Sequence, residues 1–144
     1  MQLFNSNMIT MKSIITIIVV LAIGSASFAQ KSINVPDAVK TAFAKQSPGA
    51  TDSKWEKEDG KYEVNFKNAG KETSALFSSS GNLEETEVFI TESELPANAL
   101  KIAKAKGIIK EASRITKTGG TVMYEAEVNK KDLLFDASGN PVKK

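Results

Sequence analysis

The stretch FSSSGNL at residues 77–83 returns as FDASGNP at residues 135–141, 58 positions on. A chain that repeats the same turn at such a distance is built from two copies of one supersecondary unit, which stack to share a core. The residues between the two turns support the doubling. Val35, Ala38, Val39, Ala42 and Phe43 of VPDAVKTAFAKQ fall at helical spacing, with Pro36 where a first-turn proline belongs. Leu95, Ala99, Ile102 and Ala103 of LPANALKIAKAKG repeat that stripe at an offset of 60, so that Leu95-Pro96 sits on Val35-Pro36.

Short alternating segments follow each helix. The first set is DSKWEKE, KYEVNFK, KETSALF and LEETEVFI, divided by Asp59-Gly60, Ala69-Gly70 and Gly81-Asn82. The second is IIKEASRITKT, VMYEAEV and KDLLFD, with Gly119-Gly120 set on Asp59-Gly60, Ile115 on Trp55, Tyr124 on Tyr62 and Phe135 on Phe77. Lys130-Lys131 stands in place of Ala69-Gly70, and the chain stops at Lys144 where the first copy runs into a full strand. The sequence therefore predicts an α+β fold: tandem α-β(3-4) repeats forming one antiparallel sheet of seven to eight strands, with two helices on one face. Residues 30–144 make a single domain of two repeats, over about 33–90 and 93–144.

Hairpin arithmetic sharpens the expectation. A two-residue loop at Asp59-Gly60 sets Trp55 against Val64, Lys57 against Tyr62 and Ser53 against Phe66. A loop at Ala69-Gly70 sets Tyr62 against Phe77, Val64 against Ala75 and Phe66 against Thr73. The apolar residues then share the helix-covered face, while Lys54, Glu56, Glu63, Asn65, Lys67, Glu72 and Ser74 share the open one. On the fourth strand we expect Thr86, Val88 and Ile90 inward, the alternative being Leu83, Glu85 and Phe89. Trp55 and Tyr62 are expected in the core.

Residues 11–30, MKSIITIIVVLAIGSASFAQ, carry one lysine, an apolar run from Ile14 to Ile23 and the small-residue frame Ser27-Phe28-Ala29. This is the layout of a cleaved secretory signal over residues 1–29, with Met1, Met8 and Met11 as alternative starts. A ten-residue apolar run is shorter than a membrane span requires, so we expect no stable anchor after cleavage and a periplasmic or secreted protein. The chain has no cysteine and no histidine, which removes thiol nucleophiles, histidine bases and most transition-metal ligands. With 19 basic and 17 acidic side chains, its charge makes no case for nucleic acid. No cofactor is expected.

The Val-Pro helix opening, the WEKEDGKYEVNF hairpin, the phenylalanine-to-Ser-Gly-Asn turn and the SELP entry to the second helix resemble the PepSY-like family of small exported bacterial proteins, grouped by fold with β-lactamase-inhibitor-like proteins. The resemblance covers about residues 33–142. It implies a non-enzymatic envelope or secreted protein whose relatives bind other proteins, some of them peptidases or hydrolases, so that the expected partner is an envelope or secreted protein of that class, and it supplies no catalytic residues. The truncated final strand departs from the pattern.

Two stretches invite a catalytic or metal-binding reading. Asp136 to Asn140 has its glycine at the fourth position, where a calcium loop needs it at the sixth, and reads as a turn. Glu84, Glu85, Glu87, Glu92 and Glu94 could serve a carboxylate-based hydrolase or a calcium site, which is the first rival reading. An envelope structural or stress protein with no specific ligand is the second. The Ser78-Ser79-Ser80 run lacks any activating base and reads as turn. Leu76, Leu134 and Met123 are placed by pairing on the otherwise polar open face, Leu76 and Leu134 at equivalent positions of the two copies. With Glu63 and Asn65 they form the candidate protein-binding face of an exported inhibitor-like module.

Overall fold

The computed structural model describes residues 33–143; the expected signal segment lies outside them. Helix α1 (Asp37–Gln46) is followed by strands β1 (Thr51–Glu58), β2 (Lys61–Asn68), β3 (Lys71–Phe77) and β4 (Leu83–Ile90). A 3-10 turn over Glu92–Glu94 leads into α2 (Ala97–Lys106), then β5 (Ile109–Lys117), β6 (Val122–Val128) and β7 (Lys131–Asp136). The strands form one antiparallel sheet in sequence order. Beyond β7 an isolated antiparallel bridge joins Phe135 and Pro141.

Both helices lie on the same face. Val39 and Phe43 of α1 bury against Tyr62, Val64, Phe66, Ala75 and Phe77, and Ala99 and Ala103 of α2 against Ala112, Ala126, Val128 and Phe135. Each helix thus has its own apolar cluster, while the sheet runs on unbroken through the β4–β5 pairs from Glu85↔Lys117 to Ile90↔Ala112. Phe43 stands edge-on to Phe66 at 5.0 Å and to Trp55 at 5.4 Å between ring centres. Such pairs add about 0.5–1.5 kcal/mol each beyond area burial. Trp55 is half-buried and every other β1 residue is exposed, so the indole is the apolar anchor of this charged edge strand.

The first two hairpins have the predicted registers for Trp55↔Val64, Lys57↔Tyr62, Tyr62↔Phe77 and Phe66↔Thr73. Ser53 does not pair with Phe66: the ladder shifts between Thr51 and Lys54, where Asp52 adopts a φ of 55° and bulges the strand. Thr86, Val88 and Ile90 do face the helices, since Ala75 pairs with Thr86 and Thr73 with Val88. A bulge between Leu76 and Phe77 also turns Leu83 inward onto the first cluster, so the β3–β4 loop satisfies part of both registers.

The second copy differs from expectation at two points. Its last hairpin turns on Asn129 and Lys130, with Lys131 already paired to Val128, so the turn lies one residue before the Lys130-Lys131 pair. Ile115 is not the counterpart of Trp55. Ala112 pairs with Ala126 and faces the helices, whereas Ile115 pairs with Glu87 and Met123 on the open side. The extra length of the second copy is taken up in the wider Thr118–Thr121 loop, which displaces the register that a constant offset implies.

Asn129 and Lys130 have φ of 54° and 61°, a turn conformation that asparagine tolerates and lysine does not favour. We expect Lys130→Gly to raise stability by roughly 0.5–1 kcal/mol, read as a higher urea midpoint at unchanged slope.

Candidate functional site

The open face of the sheet carries no helix among the described residues. Cross-strand pairing lays its residues out in rows. One row runs Glu56, Glu63, Leu76, Glu85, Lys117 from β1 to β5. The next runs Lys54, Asn65, Ser74, Glu87, Ile115, Met123 and Asp136. Phe89, Ser113, Glu125 and Leu134 form a third, and Glu111, Glu127 and Asp132 a fourth.

All five sequence-derived candidates, Leu76, Leu134, Met123, Glu63 and Asn65, therefore share this face. They are not one contiguous patch. Leu76 on β3 and Leu134 on β7 are four strands apart, roughly 19 Å at the usual strand spacing. The gap between them is filled by Ile115 and Phe89, which the sequence had not marked, together with Met123. Leu76, Met123, Leu134 and Phe89 are half-buried and Ile115 is buried.

The centre of the face is drier than an alternating polar pattern suggests. Glu63 is 8% exposed, and Ser74, Glu87 and Ser113 are 4%, 3% and 3% exposed. Glu87 sits mid-sheet between Ser74 and Ile115 across the strands and between Glu85 and Phe89 along its own. Its Oε2 and the Ser113 Oγ have no hydrogen-bond partner. Burial pushes the Glu87 carboxyl up to about 7; the nearby Ser113 hydroxyl pulls it down without closing a hydrogen bond, and Glu85, Glu63 and Glu111 push it further up. Burial likewise raises Glu63, aided by Glu56, Glu58 and Glu85, and raises Glu111, aided by Glu127, Glu72 and Asp132.

Of the other glutamates of the Glu84–Glu94 run, Glu85 stays beside Glu87 on the open face and the remaining three are held by separate lysines. Glu84 pairs with Lys61, Glu92 with Lys104 at 2.8 Å, and Glu94 with Lys71 at 3.1 Å. Hydrogen bonds from the Thr91 backbone N–H, from Lys71 and from the Thr91 hydroxyl hold the Glu94 carboxyl below its ordinary range. Among the described residues no three carboxylates come together as a metal site. Asp136 is consumed by its own turn: Oδ1 accepts the N–H groups of Ser138 and Asn140 at 2.9 Å, and these bonds, the Asn140 amide first, lower its pKa. A crevice of about 420 Å³ opens where β4 ends and β5 begins, lined by Ile90, Glu92 and Ile109 and by Phe89 and Glu111 of the open face among others, beside the 83%-exposed Ile108.

The repeated turn has a structural role. A Cβ on Gly81 would lie 2.7 Å from the Ala38 carbonyl oxygen in α1, and one on Gly139 2.7 Å from the Ala99 amide nitrogen in α2. Each copy therefore presses a glycine turn onto the first turns of its helix. In the second, Asn98 also donates from Nδ2 to the Gly139 carbonyl at 3.0 Å.

Comparison with known proteins agrees with this architecture. The chain matches the family described as "Putative beta-lactamase-inhibitor-like, PepSY-like" over residues 27–84 and again over 60–143. Among solved structures it is similar to one from Bacteroides eggerthii described as "putative periplasmic proteins", at 21% identity and a TM-score of 0.70, covering 76% of this chain and 86% of that one. A DUF2874 family protein of Bacteroides uniformis aligns at 18% identity and a TM-score of 0.68, over 75% of this chain and 86% of that one. A BLIP-like protein of Bacteroides fragilis aligns at 22% identity and a TM-score of 0.61, over 78% and 86%. A comparison with curated proteins gives no match. These identities speak for the fold, and the doubled match speaks for the lineage: the chain belongs to the PepSY-like, β-lactamase-inhibitor-like family, with two copies in tandem.

Proposed function

We propose that this protein is an exported, non-enzymatic binding module that holds a partner protein against the open face of its sheet. The observation that carries this reading is the face itself. Half-buried Leu76, Phe89, Met123 and Leu134 are set among carboxylates, with buried polar groups at the centre. A wide sheet with apolar side chains in its middle and charge around them has the anatomy of a protein interface. The family's inhibitor-like description and the BLIP-like relative support a protein, in particular a hydrolase or peptidase, as the kind of partner. Residues 1–29 serve as a cleaved signal, and the relative described as periplasmic fits that destination. The pairing of Glu84, Glu92 and Glu94 with separate lysines, which leaves only Glu85 and Glu87 of that run together on the open face, weighs against the five-carboxylate site a hydrolase or calcium reading supposed.

The test is affinity capture from the envelope fraction with the wild-type protein and with a Leu76→Lys, Leu134→Lys variant of verified fold. A protein retained saturably by the first and reduced at least about tenfold by the second is the expected result. Equal retention by both would remove the face from the interaction.

A further inference from the structure

Net charge conceals how the charges are arranged. Most of the chain's 17 acidic side chains project from the open face, against Lys54, Lys61, Lys67 and Lys117 as its bases. Three of those lysines are occupied: Lys61 by Glu84, Lys67 by Asp52 at 3.7 Å and Lys117 by Glu85 at 3.8 Å. On the opposite side, α1 and α2 carry Lys40, Lys45, Lys101, Lys104 and Lys106.

The sheet also places like charges directly opposite one another. Glu56 pairs with Glu63, and Glu111 pairs with Glu127, which pairs in turn with Asp132. Such pairs are destabilising, and neighbouring strands with free choice avoid them. Between the two sites lies Glu87, 3% exposed, with its Oε2 unpartnered on the same face. A buried polar oxygen without a partner costs stability and marks a position that a ligand group can satisfy. The absence of any metal-like carboxylate cluster among the described residues spreads this charge over the face instead of focusing it on one ion.

Building on the docking reading above, we propose that the occupant of the open face is a protein surface bearing arginine or lysine side chains around an apolar centre. Glu56 and Glu63 at one end and Glu111 and Glu127 at the other select it by charge, while Leu76, Phe89 and Met123 supply the contact between them. Cationic side chains entering from the partner relieve the like-charge pairs at both ends at once, and a guanidinium reaching the middle gives Glu87 Oε2 a donor. An acidic partner meets the full repulsion and is rejected.

The probe is a blocked peptide alternating arginine and leucine, Arg-Leu-Arg-Leu-Arg, compared with Glu-Leu-Glu-Leu-Glu, titrated into isotope-labelled protein as exported and followed by amide chemical shifts. The basic peptide is expected to shift Glu63, Leu76, Glu111 and Met123 saturably, and to weaken about tenfold as salt is raised from roughly 50 to 300 mM. A Glu111→Gln, Glu127→Gln variant should weaken it about fivefold or more, with Lys101→Gln on α2 unchanged. Equal binding of the acidic peptide, shifts confined to the helical side, or no shift at millimolar peptide would each overturn the proposal. The outcomes separate from those of the docking reading. A partner captured through Leu76 and Leu134 but insensitive to the Glu111→Gln, Glu127→Gln change refutes charge selection alone, whereas capture insensitive to Leu76→Lys, Leu134→Lys refutes the docking face.

Discussion

Replacing Glu87 by glutamine is expected to stabilise the protein at pH 8 by on the order of 2–3 kcal/mol and to change it little at about pH 4. The carboxyl is 3% exposed, has one oxygen without a partner and is pushed up to about 7 by burial. Below an ordinary glutamate pKa, about 4.5, the side chain is neutral in both folded and unfolded chains and favours neither. Between there and about 7 the unfolded chain ionises while the folded one stays protonated, so stability falls as pH rises. Above about 7 both are ionised and the penalty is constant. Glu63 and Glu111, raised by the same cause, act in the same direction. Urea denaturation of wild type and Glu87→Gln across this range should show two curves that meet at about pH 4 and separate towards pH 8. A variant less stable than wild type at pH 8 would mean that the ionised carboxylate has a stabilising partner, contrary to the structure.

The turns repeated in the sequence yield the second large effect. Gly139→Ala should cost about 2–4 kcal/mol, combining the strain of a β-carbon at φ 82° with its collision at 2.7 Å from the Ala99 amide nitrogen and 2.9 Å from the Pro96 Cβ. Gly81→Ala should cost a similar amount against the Ala38 carbonyl, because backbone atoms of a packed helix cannot step aside as a flexible side chain can. Gly60→Ala is the internal control. Its φ is 80° but nothing lies within 4 Å, so only the conformational cost of about 1 kcal/mol applies. Thermal melts of the three variants should place Gly81→Ala and Gly139→Ala well below Gly60→Ala. Three equal losses would show that the helix contact contributes nothing.

That glycine contact explains why the duplication could be read so directly from the sequence. The turn glycine meets a helix in both copies, so neither copy tolerates a side chain there, and the spelling persists where the strands between have diverged. Strand registers were legible wherever a two-residue turn fixed them, as at Asp59-Gly60 and Ala69-Gly70. They failed where the backbone departs from that geometry: at the Asp52 bulge, which removes the Ser53–Phe66 pair, and at the wider Thr118–Thr121 loop, which carries Ile115 to the open face. The candidate site was legible in part for the same reason. Pairing within the first copy placed Glu63, Asn65 and Leu76, and repetition placed Leu134. Ile115 joins Glu87 and Phe89 only when β4 pairs with β5, and α2 separates those strands in the chain, so no short turn fixes their register. The segregation of charge was hidden for a related reason. A near-zero sum says nothing of faces, and period-two alternation assigns them only once every register is known.

A photo-crosslinking residue introduced at Leu76 on the open face, and separately at Lys101 on the exposed side of α2, in cells exporting the protein, tests the docking surface most directly. The account predicts a discrete, saturable adduct with another protein from position 76 and none from position 101. An adduct from position 101 alone, or none from either site, would contradict it.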